Sequence, residues 1–151
     1  MKPFNQTDTY KLHQIVFCLD KVAIKSLSKN TKITYVQFLI LLSIQENPEF
    51  RLEKIGNWVN LTKSAVSQQV EKLVKLGFLN RVESPEDRRE KKLTLTEEGH
   101  KEVDNAKDIC NEISESLFNV LDTDDRVLFE SILNKLAGPD LKNFLSKYNQ
   151  K

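Results

Sequence analysis

The fold is decided by residues 52–99, which read LEKIGNWVNLTKSAVSQQVEKLVKLGFLNRVESPEDRREKKLTLTEEG. Apolar residues recur there at helical spacing and predict two short helices, over about 52–59 and 62–76. Asn60 and Leu61 predict a tight turn, Thr62 the N-cap of the second helix and Gly77 its end. Two short helices joined in this way predict a helix-turn-helix. The residues expected to point inward are Leu52, Ile55, Trp58 and Val59, then Val66, Val70, Leu73 and Leu76.

The outer side of the second helix carries the side chains expected to meet DNA. In a helix-turn-helix this helix enters the major groove, so its outer positions must be small or polar and able to hydrogen-bond. The candidate DNA-binding residues of this helix are Thr62, Lys63, Ser64, Ser67, Gln68 and Lys72. A solvated helix face without a DNA role explains the same pattern equally well, so the helix alone leaves both interpretations open.

A change to a period of two after residue 77 predicts a β-hairpin. Residues 78–82 alternate, residues 84–87 break the pattern, and residues 92–95 alternate again. Cations at or near the tip predict a wing that lies along the DNA backbone or in the minor groove. These cations are Arg88, Arg89, Lys91 and Lys92. A wing directly after a helix-turn-helix favours DNA binding over a plain solvated surface.

Four longer helices are predicted around this motif, over residues 8–28, 34–45, 96–121 and 123–137, and a last amphipathic piece covers 141–148. Thr34 predicts the N-cap of the second of these, which is apolar nearly all round and expected to be buried. Helix 8–28 has one apolar stripe. Helix 96–121 has a seam suited to pairing with another helix, and at about 1.5 Å per residue it is longer than a small domain covers alone. The seam consists of Val103, Ala106, Cys110, Ile113, Leu117 and Val120.

Composition narrows the class of protein further. The net charge is only +1, but residues 61–92 hold eight basic and five acidic side chains, whereas residues 93–139 hold four basic and eleven acidic ones. This segregation suits a protein that approaches a polyanion with one face. No apolar run approaches the ~20 residues of a membrane span, and the N-terminus lacks the apolar stretch of a signal peptide. We expect a cytoplasmic protein with no membrane contact.

Chemistry at a metal or catalytic site is not indicated. Cys18 and Cys110 lie far apart without a CxxC motif, and only His13 and His100 could assist them, so we expect no metal and no cofactor. Both thiols are expected to be packing residues. No paired carboxylates, nucleophile with a base or phosphate-binding glycine loop is recognised, and we predict that the chain is not an enzyme.

The sequence resembles the MarR-type (multiple antibiotic resistance regulator) winged helix proteins. The resemblance is strongest over residues 84–99, SPEDRREKKLTLTEEG, where an Asp-x-Arg precedes Leu-Thr-x-x-Gly, and it extends to residues 61–81, LTKSAVSQQVEKLVKLGFLNR. It implies that Arg89 reaches the minor groove and that Asp87 braces it by a charge-assisted hydrogen bond. An ordinary turn residue is the alternative for Asp87.

The same resemblance implies a mainly α fold with a small β wing: a winged helix-turn-helix with long N- and C-terminal dimerisation helices. One continuous domain is expected, with a DNA-binding lobe at 33–96 and dimerisation helices at 1–32 and 97–151. The implied function is a repressor that binds a palindromic operator on double-stranded DNA as a homodimer. A small aromatic effector, bound between dimer helices and lobe, would release it. The alternatives are a winged-helix interaction module without a DNA role and a thiol-based redox regulator, although Cys18 does not match the place of the reactive cysteine in the peroxide-sensing branch.

Overall fold

The computed structural model describes residues 3–83, 91–138 and 141. Six α-helices and two strands follow one another along these residues, after a short 3-10 helix at Phe4–Gln6. In chain order they are α1 (Asp8–Asn30), α2 (Tyr35–Glu46), α3 (Leu52–Val59), α4 (Lys63–Lys75), β1 (Leu79–Glu83), β2 (Lys91–Leu95), α5 (Glu97–Phe118) and α6 (Thr123–Leu136). The mainly α fold with a small antiparallel hairpin is the one predicted, and it is confirmed.

Two compact units make up the chain, residues 1–113 and residues 114–151. The core of the first unit is built around α2, as predicted for this apolar helix. Phe38, Ile40, Leu41 and Ile44 of α2 are buried there. The other buried members of this core are Leu27, Ile33, Ile55, Val66, Val70, Leu73, Phe78, Leu79, Leu93, Val103 and Ala106.

Local capping sets the helix boundaries that the sequence predicts. Thr34 caps α2 through a capping box, in which its hydroxyl accepts from the backbone N–H of Gln37 at 3.3 Å and the Gln37 side chain accepts from the backbone N–H of Thr34 at 2.9 Å. Thr62 caps α4 by accepting from the backbone N–H of Ala65 at 3.2 Å. Both predicted N-caps are confirmed.

The end of α4 explains why β1 begins one residue later than predicted. Gly77 has φ +79°, a left-handed conformation that favours glycine. This turn brings the backbone N–H of Phe78 to the carbonyl of Leu73 at 3.0 Å, which closes the helix in a Schellman motif. Phe78 therefore belongs to the helix end, and the ladder with β2 starts at Leu79.

For two residues of the helix-turn-helix the predicted inward orientation is wrong. Trp58 is 44% exposed and Leu76 is 52% exposed. Trp58 lies in the last turn of α3 and Leu76 is the C-cap of α4. Both side chains are therefore at the ends of their helices, where they are covered less than Ile55 and Leu73 are.

The long stripes of α1 and α5 are only partly buried within the chain. Of the α1 stripe, Ala23 and Leu27 are buried, while Leu12, Ile15, Val16 and Val22 are exposed. In α5, Val103 and Ala106 pack into the core of the first unit, so the start of the predicted seam is internal to the chain. Leu117 is 37% exposed and Val120 is 84% exposed.

Helix α5 ends at Phe118, three residues before the predicted end. Asp122 starts the next helix, since its carboxylate accepts from the backbone N–H of Asp125 at 2.9 Å. The chain must turn before that cap, which shortens α5. In the second unit Phe118 packs against Phe129, with ring centroids 5.2 Å apart, and Arg126 lies over the Phe118 ring while pairing with Glu115 at 2.5 Å.

Candidate nucleic-acid interface

The turn between α3 and α4 fixes the angle between the two helices of the motif. Asn60 takes the left-handed conformation, with φ 55° and ψ 46°, and the backbone N–H of Leu61 donates to the carbonyl of Gly56 at 2.8 Å. A Cβ atom on Gly56 would lie 2.6 Å from the Leu61 carbonyl oxygen, so only glycine permits this approach. The predicted tight turn at Asn60 and Leu61 is therefore present.

Helix α4 presents one polar face to solvent because its opposite face is completely buried. Val66, Val70 and Leu73 are 0% exposed. The structure places all six candidates on this helix or at its cap. Lys63, Ser64, Gln68 and Lys72 are exposed, Ser67 is partly buried, and Thr62 uses its hydroxyl oxygen as the N-cap.

The first turn of α4 is suited to an anion. It contains no acidic residue, and Lys63 is its first residue. The N-terminus of a helix carries partial positive charge and backbone N–H groups that the helix does not use, so it attracts phosphate. The polar face and this terminus together form a surface that can bind both phosphates and base edges.

The hairpin has the register expected of a wing. Its strands pair from Leu79 opposite Leu95 to Glu83 opposite Lys91, with Leu79 and Leu93 buried toward the core. Lys91 thus lies at the end of the ladder nearest the tip. The wing residues Asp87, Arg88 and Arg89 lie outside the described residues.

The sequence predicts Lys92 to be a free cation of the wing, but its side chain forms an ion pair within the protein. Its Nζ pairs with Oε1 of Glu49 at 2.8 Å, which ties the outer face of β2 to the segment between α2 and α3. Side chains on both sides of this pair are substantially exposed, so it contributes about 0–1 kcal/mol. The charge of Lys92 is therefore partly neutralised by Glu49 in the DNA-free protein.

Gln37 and Gln69 are polar residues near the interface that sequence reasoning missed. Gln37 is buried, and its Nε2 lies 3.3 Å from Oε1 of Gln69 on α4. The pattern Thr34-x-x-Gln37 is the signature of a capping box and could have singled out Gln37. Nothing in the sequence indicates its contact with α4, 32 positions away.

Comparison with known proteins identifies the family. A model of the MarR family matches residues 33–91. The transcriptional regulator SarZ of Staphylococcus haemolyticus is 29% identical over 145 residues, which span 91% of this chain and 94% of that protein. The chain belongs to the MarR family. It is accordingly a DNA-binding regulator of transcription, as the sequence predicts.

Solved structures of the MarR family share the fold. Apo MarR of E. coli has a TM-score of 0.76 at 21% identity, over 91% of this chain and 98% of that one. A MarR family protein of Mycobacterium tuberculosis in complex with salicylic acid has a TM-score of 0.75 at 20% identity, over 88% of this chain and 98% of that one. At these identities the likeness concerns the fold.

The two thiols of this MarR-family chain differ in environment. Cys110 is partly buried against the core of the first unit, where burial and then the charge of Asp20 raise the pKa of its thiol. Cys18 is exposed on α1, so the prediction that it is a packing residue is wrong within the chain. Near Cys110, the Tyr35 hydroxyl donates to Asp20 Oδ1 at 2.9 Å, and burial with this bond raises the pKa of Tyr35.

The raised pKa predicts slow chemistry at Cys110, because the thiolate is the reactive form. In a Cys18→Ser variant, alkylation of Cys110 by iodoacetamide at pH 8 is expected to be several-fold slower in the folded protein than in urea. Raising the pH should speed the folded reaction. Folded Cys110 reacting as fast as unfolded Cys110 would contradict this assignment and revive the redox alternative at that residue.

Other chemistry is not evident in the part of the chain that the structure describes. Among residues 3–83, 91–138 and 141, no three His, Cys, Asp or Glu side chains are grouped so that they could hold a metal ion. None of the helices in these ranges combines the length and the apolar character that a membrane span requires.

Proposed function

We propose that this MarR-family chain is a cytoplasmic repressor that binds a palindromic operator on double-stranded DNA as a homodimer. The observation that carries the proposal is the solvent face of α4, where Ser64, Gln68 and Lys72 are exposed on a helix whose other face is fully buried. In this proposal residues 33–96 are the DNA-binding lobe, and residues 1–32 and 97–151 supply the dimerisation helices of one continuous domain.

The candidate residues divide into two chemical roles. Ser64, Ser67 and Gln68 have hydroxyl or amide groups that can pair with base edges, whereas Lys63 and Lys72 are cations suited to phosphates. Thr62 acts through the helix, as its cap. In the wing Arg88, Arg89 and Lys91 are the proposed DNA contacts, with Arg89 in the minor groove and Asp87 bracing it.

An effector is part of the proposal. The M. tuberculosis relative is described in complex with salicylic acid, a small aromatic acid. A ligand of this class would release the operator by binding the DNA-incompetent state more tightly than the competent one. Catalytic activity is not part of the proposal, since regulation requires only binding.

Two variants of α4 test whether its face reads sequence. Gln68→Ala is expected to weaken binding to the operator by about 1–3 kcal/mol and to leave binding to a random duplex unchanged, because base contacts carry specificity. Lys72→Gln is expected to weaken both and to reduce the slope of log affinity against log salt by about one, because a phosphate contact releases counterions. Mobility shifts and salt titrations on DNA upstream of the chain's own gene would measure both effects.

The pair of variants is matched, because both residues are exposed on the same helix. Equal losses for Gln68→Ala on operator and random DNA would show that α4 does not read bases. Wild-type protein that fails to bind any upstream fragment or random duplex at low salt would instead favour the interaction module without a DNA role.

A further inference from the structure

The first turn of α2 contains a buried glutamine that joins two elements. Gln37 is only 6% exposed. Its Oε1 accepts from the backbone N–H of Thr34 at 2.9 Å, and its Nε2 donates to Oε1 of Gln69 on α4 at 3.3 Å. One buried amide therefore completes the cap of α2 and holds the helix proposed to read DNA.

The donor and acceptor types fix the orientation of both amides. The backbone N–H of Thr34 can only donate, so the Gln37 atom that faces it must be the carbonyl oxygen. The NH₂ group of Gln37 then faces Gln69, and because it can only donate, the atom it meets must be the Gln69 carbonyl oxygen. This bond uses only the oxygen of Gln69, so both hydrogens of its NH₂ group, on a partly exposed residue, are left for other acceptors.

The anchoring turn is itself held from the other side. Tyr35, the first residue of α2, donates from its hydroxyl to Oδ1 of Asp20 on α1 at 2.9 Å. Thr34 and Gln37 are locked to each other by the capping box. Gln37 therefore projects toward α4 from a turn that is fixed to two helices, which is the condition for positioning a partner side chain.

We propose that Gln37 is a positioning residue for operator recognition, which holds α4 through Gln69 and turns the Gln69 NH₂ group toward a hydrogen-bond acceptor on the DNA. Gln69 follows Gln68 on α4 and points about 100° around the helix from it, at the partly exposed edge of the polar face. Acceptors are present on phosphates and on the major-groove edges of A, G and T, so an NH₂ donor suits both. The inference rests on the proposed binding of operator DNA.

Single and double substitutions to methionine, which keeps length without hydrogen bonds, test the pair. Gln37→Met and Gln69→Met are each expected to weaken operator binding about fivefold, the size of one hydrogen bond. The double variant is expected to lose no more operator affinity than either single variant, because each single substitution already removes the contact between Gln37 and Gln69. A loss on operator alone would assign the acceptor to a base, and an equal loss on random duplex would assign it to a phosphate.

Two controls separate positioning from stability. Gln45→Met removes a glutamine of the same helix whose amide contacts Lys107 at 2.7 Å and His100 at 3.1 Å on α5, not α4, so DNA affinity should not change. Thr34→Ala removes the capping hydroxyl but keeps the backbone N–H that orients Gln37, so it should lower the midpoint of thermal unfolding without changing DNA affinity.

Two results would overturn the inference. In the first, Gln69→Met weakens operator binding but Gln37→Met does not. In the second, Thr34→Ala weakens operator binding as much as Gln37→Met does. A measurement without DNA distinguishes failure of this inference about Gln37 and Gln69 from failure of the proposed DNA-binding function. The side-chain NH₂ resonances of Gln69 should shift in Gln37→Met and stay in place in Gln45→Met and Thr34→Ala, whether or not the wild type binds the DNA tested.

Discussion

Replacing Gly99 by alanine is expected to lower the free energy of unfolding by about 3 kcal/mol, the upper range for overpacking. A Cβ atom at this position would lie 2.1 Å from the carbonyl oxygen of Phe78 and 3.1 Å from its carbonyl carbon. Both are backbone atoms at the corner between α4 and β1, so no side-chain rotation can relieve the collision. The start of α5 would have to move away from this corner.

Thr96 forms hydrogen bonds to the same corner, so a displacement of α5 would weaken these bonds. The backbone N–H of Thr96 donates to the Phe78 carbonyl at 3.1 Å, and its hydroxyl donates to the Gly77 carbonyl at 2.6 Å. That hydroxyl also accepts from the backbone N–H of Gly99 at 3.0 Å. The Leu-Thr-x-x-Gly motif of the sequence is thus a clamp between the α4–β1 corner and the start of α5, and its glycine is required by contact with Phe78.

Gly77→Ala is the matched control. A Cβ atom added at Gly77 would have no neighbouring atom within 4 Å. Alanine there therefore adds only the strain of a left-handed backbone, about 1–2 kcal/mol. Urea denaturation at one fixed protein concentration would compare the two variants, since dimer dissociation would otherwise shift the midpoint. A Gly99→Ala variant no less stable than Gly77→Ala would contradict the clamp.

Features of the fold that depend on neighbouring residues could be predicted from the sequence. The caps at Thr34 and Thr62, the turn at Asn60 and the stop at Gly77 each require only a few residues and one backbone conformation, and all are present. The alternation of the hairpin similarly follows from a face buried by α2 and α4.

Features that depend on distant contacts could not be predicted. Whether Trp58 or Leu76 is covered depends on what packs beside the helix, and a stripe on a helical wheel does not contain that information. The α5 seam shows the same difficulty, since Val103 is buried by the first unit while Leu117 remains exposed. The amide contact between Gln37 and Gln69 joins two helices and has no local sequence signal.

In the proposed homodimer, the exposed apolar stripe on α6 is the surface through which we expect two copies of the chain to pack. Leu128, Ile132 and Leu136 are 59%, 43% and 58% exposed and follow one another at intervals of four residues, so they share one side of the helix. Full burial of such a side chain contributes about 1.5–3 kcal/mol, and about half of that remains to be gained at these half-exposed positions. In a two-fold dimer each stripe residue would be buried once in each copy, which favours association.

Replacing both Leu128 and Ile132 by aspartate is therefore expected to convert a dimer into a monomer. A single chain already exposes both side chains, so the variant should keep its fold, whereas the dimer would have to bury unpaired carboxylates. Val127→Asp is the control, because Val127 is 63% exposed and lies about 100° around α6 from Leu128, off the stripe. Sedimentation at micromolar concentration and circular dichroism would measure assembly and folding separately.

The loss of the dimer should have its largest effect on DNA. Two linked half-site contacts bind more tightly than one by about 10²–10⁴, and the double variant should lose this factor on a palindrome whose half-site centres are about 10–11 base pairs apart. Its affinity for a single half-site should equal that of the wild type, because α4 and the wing are untouched. Val127→Asp should retain full affinity for the palindrome. A wild-type chain that sediments as a monomer and binds one half-site as tightly as the palindrome would refute the dimeric repressor.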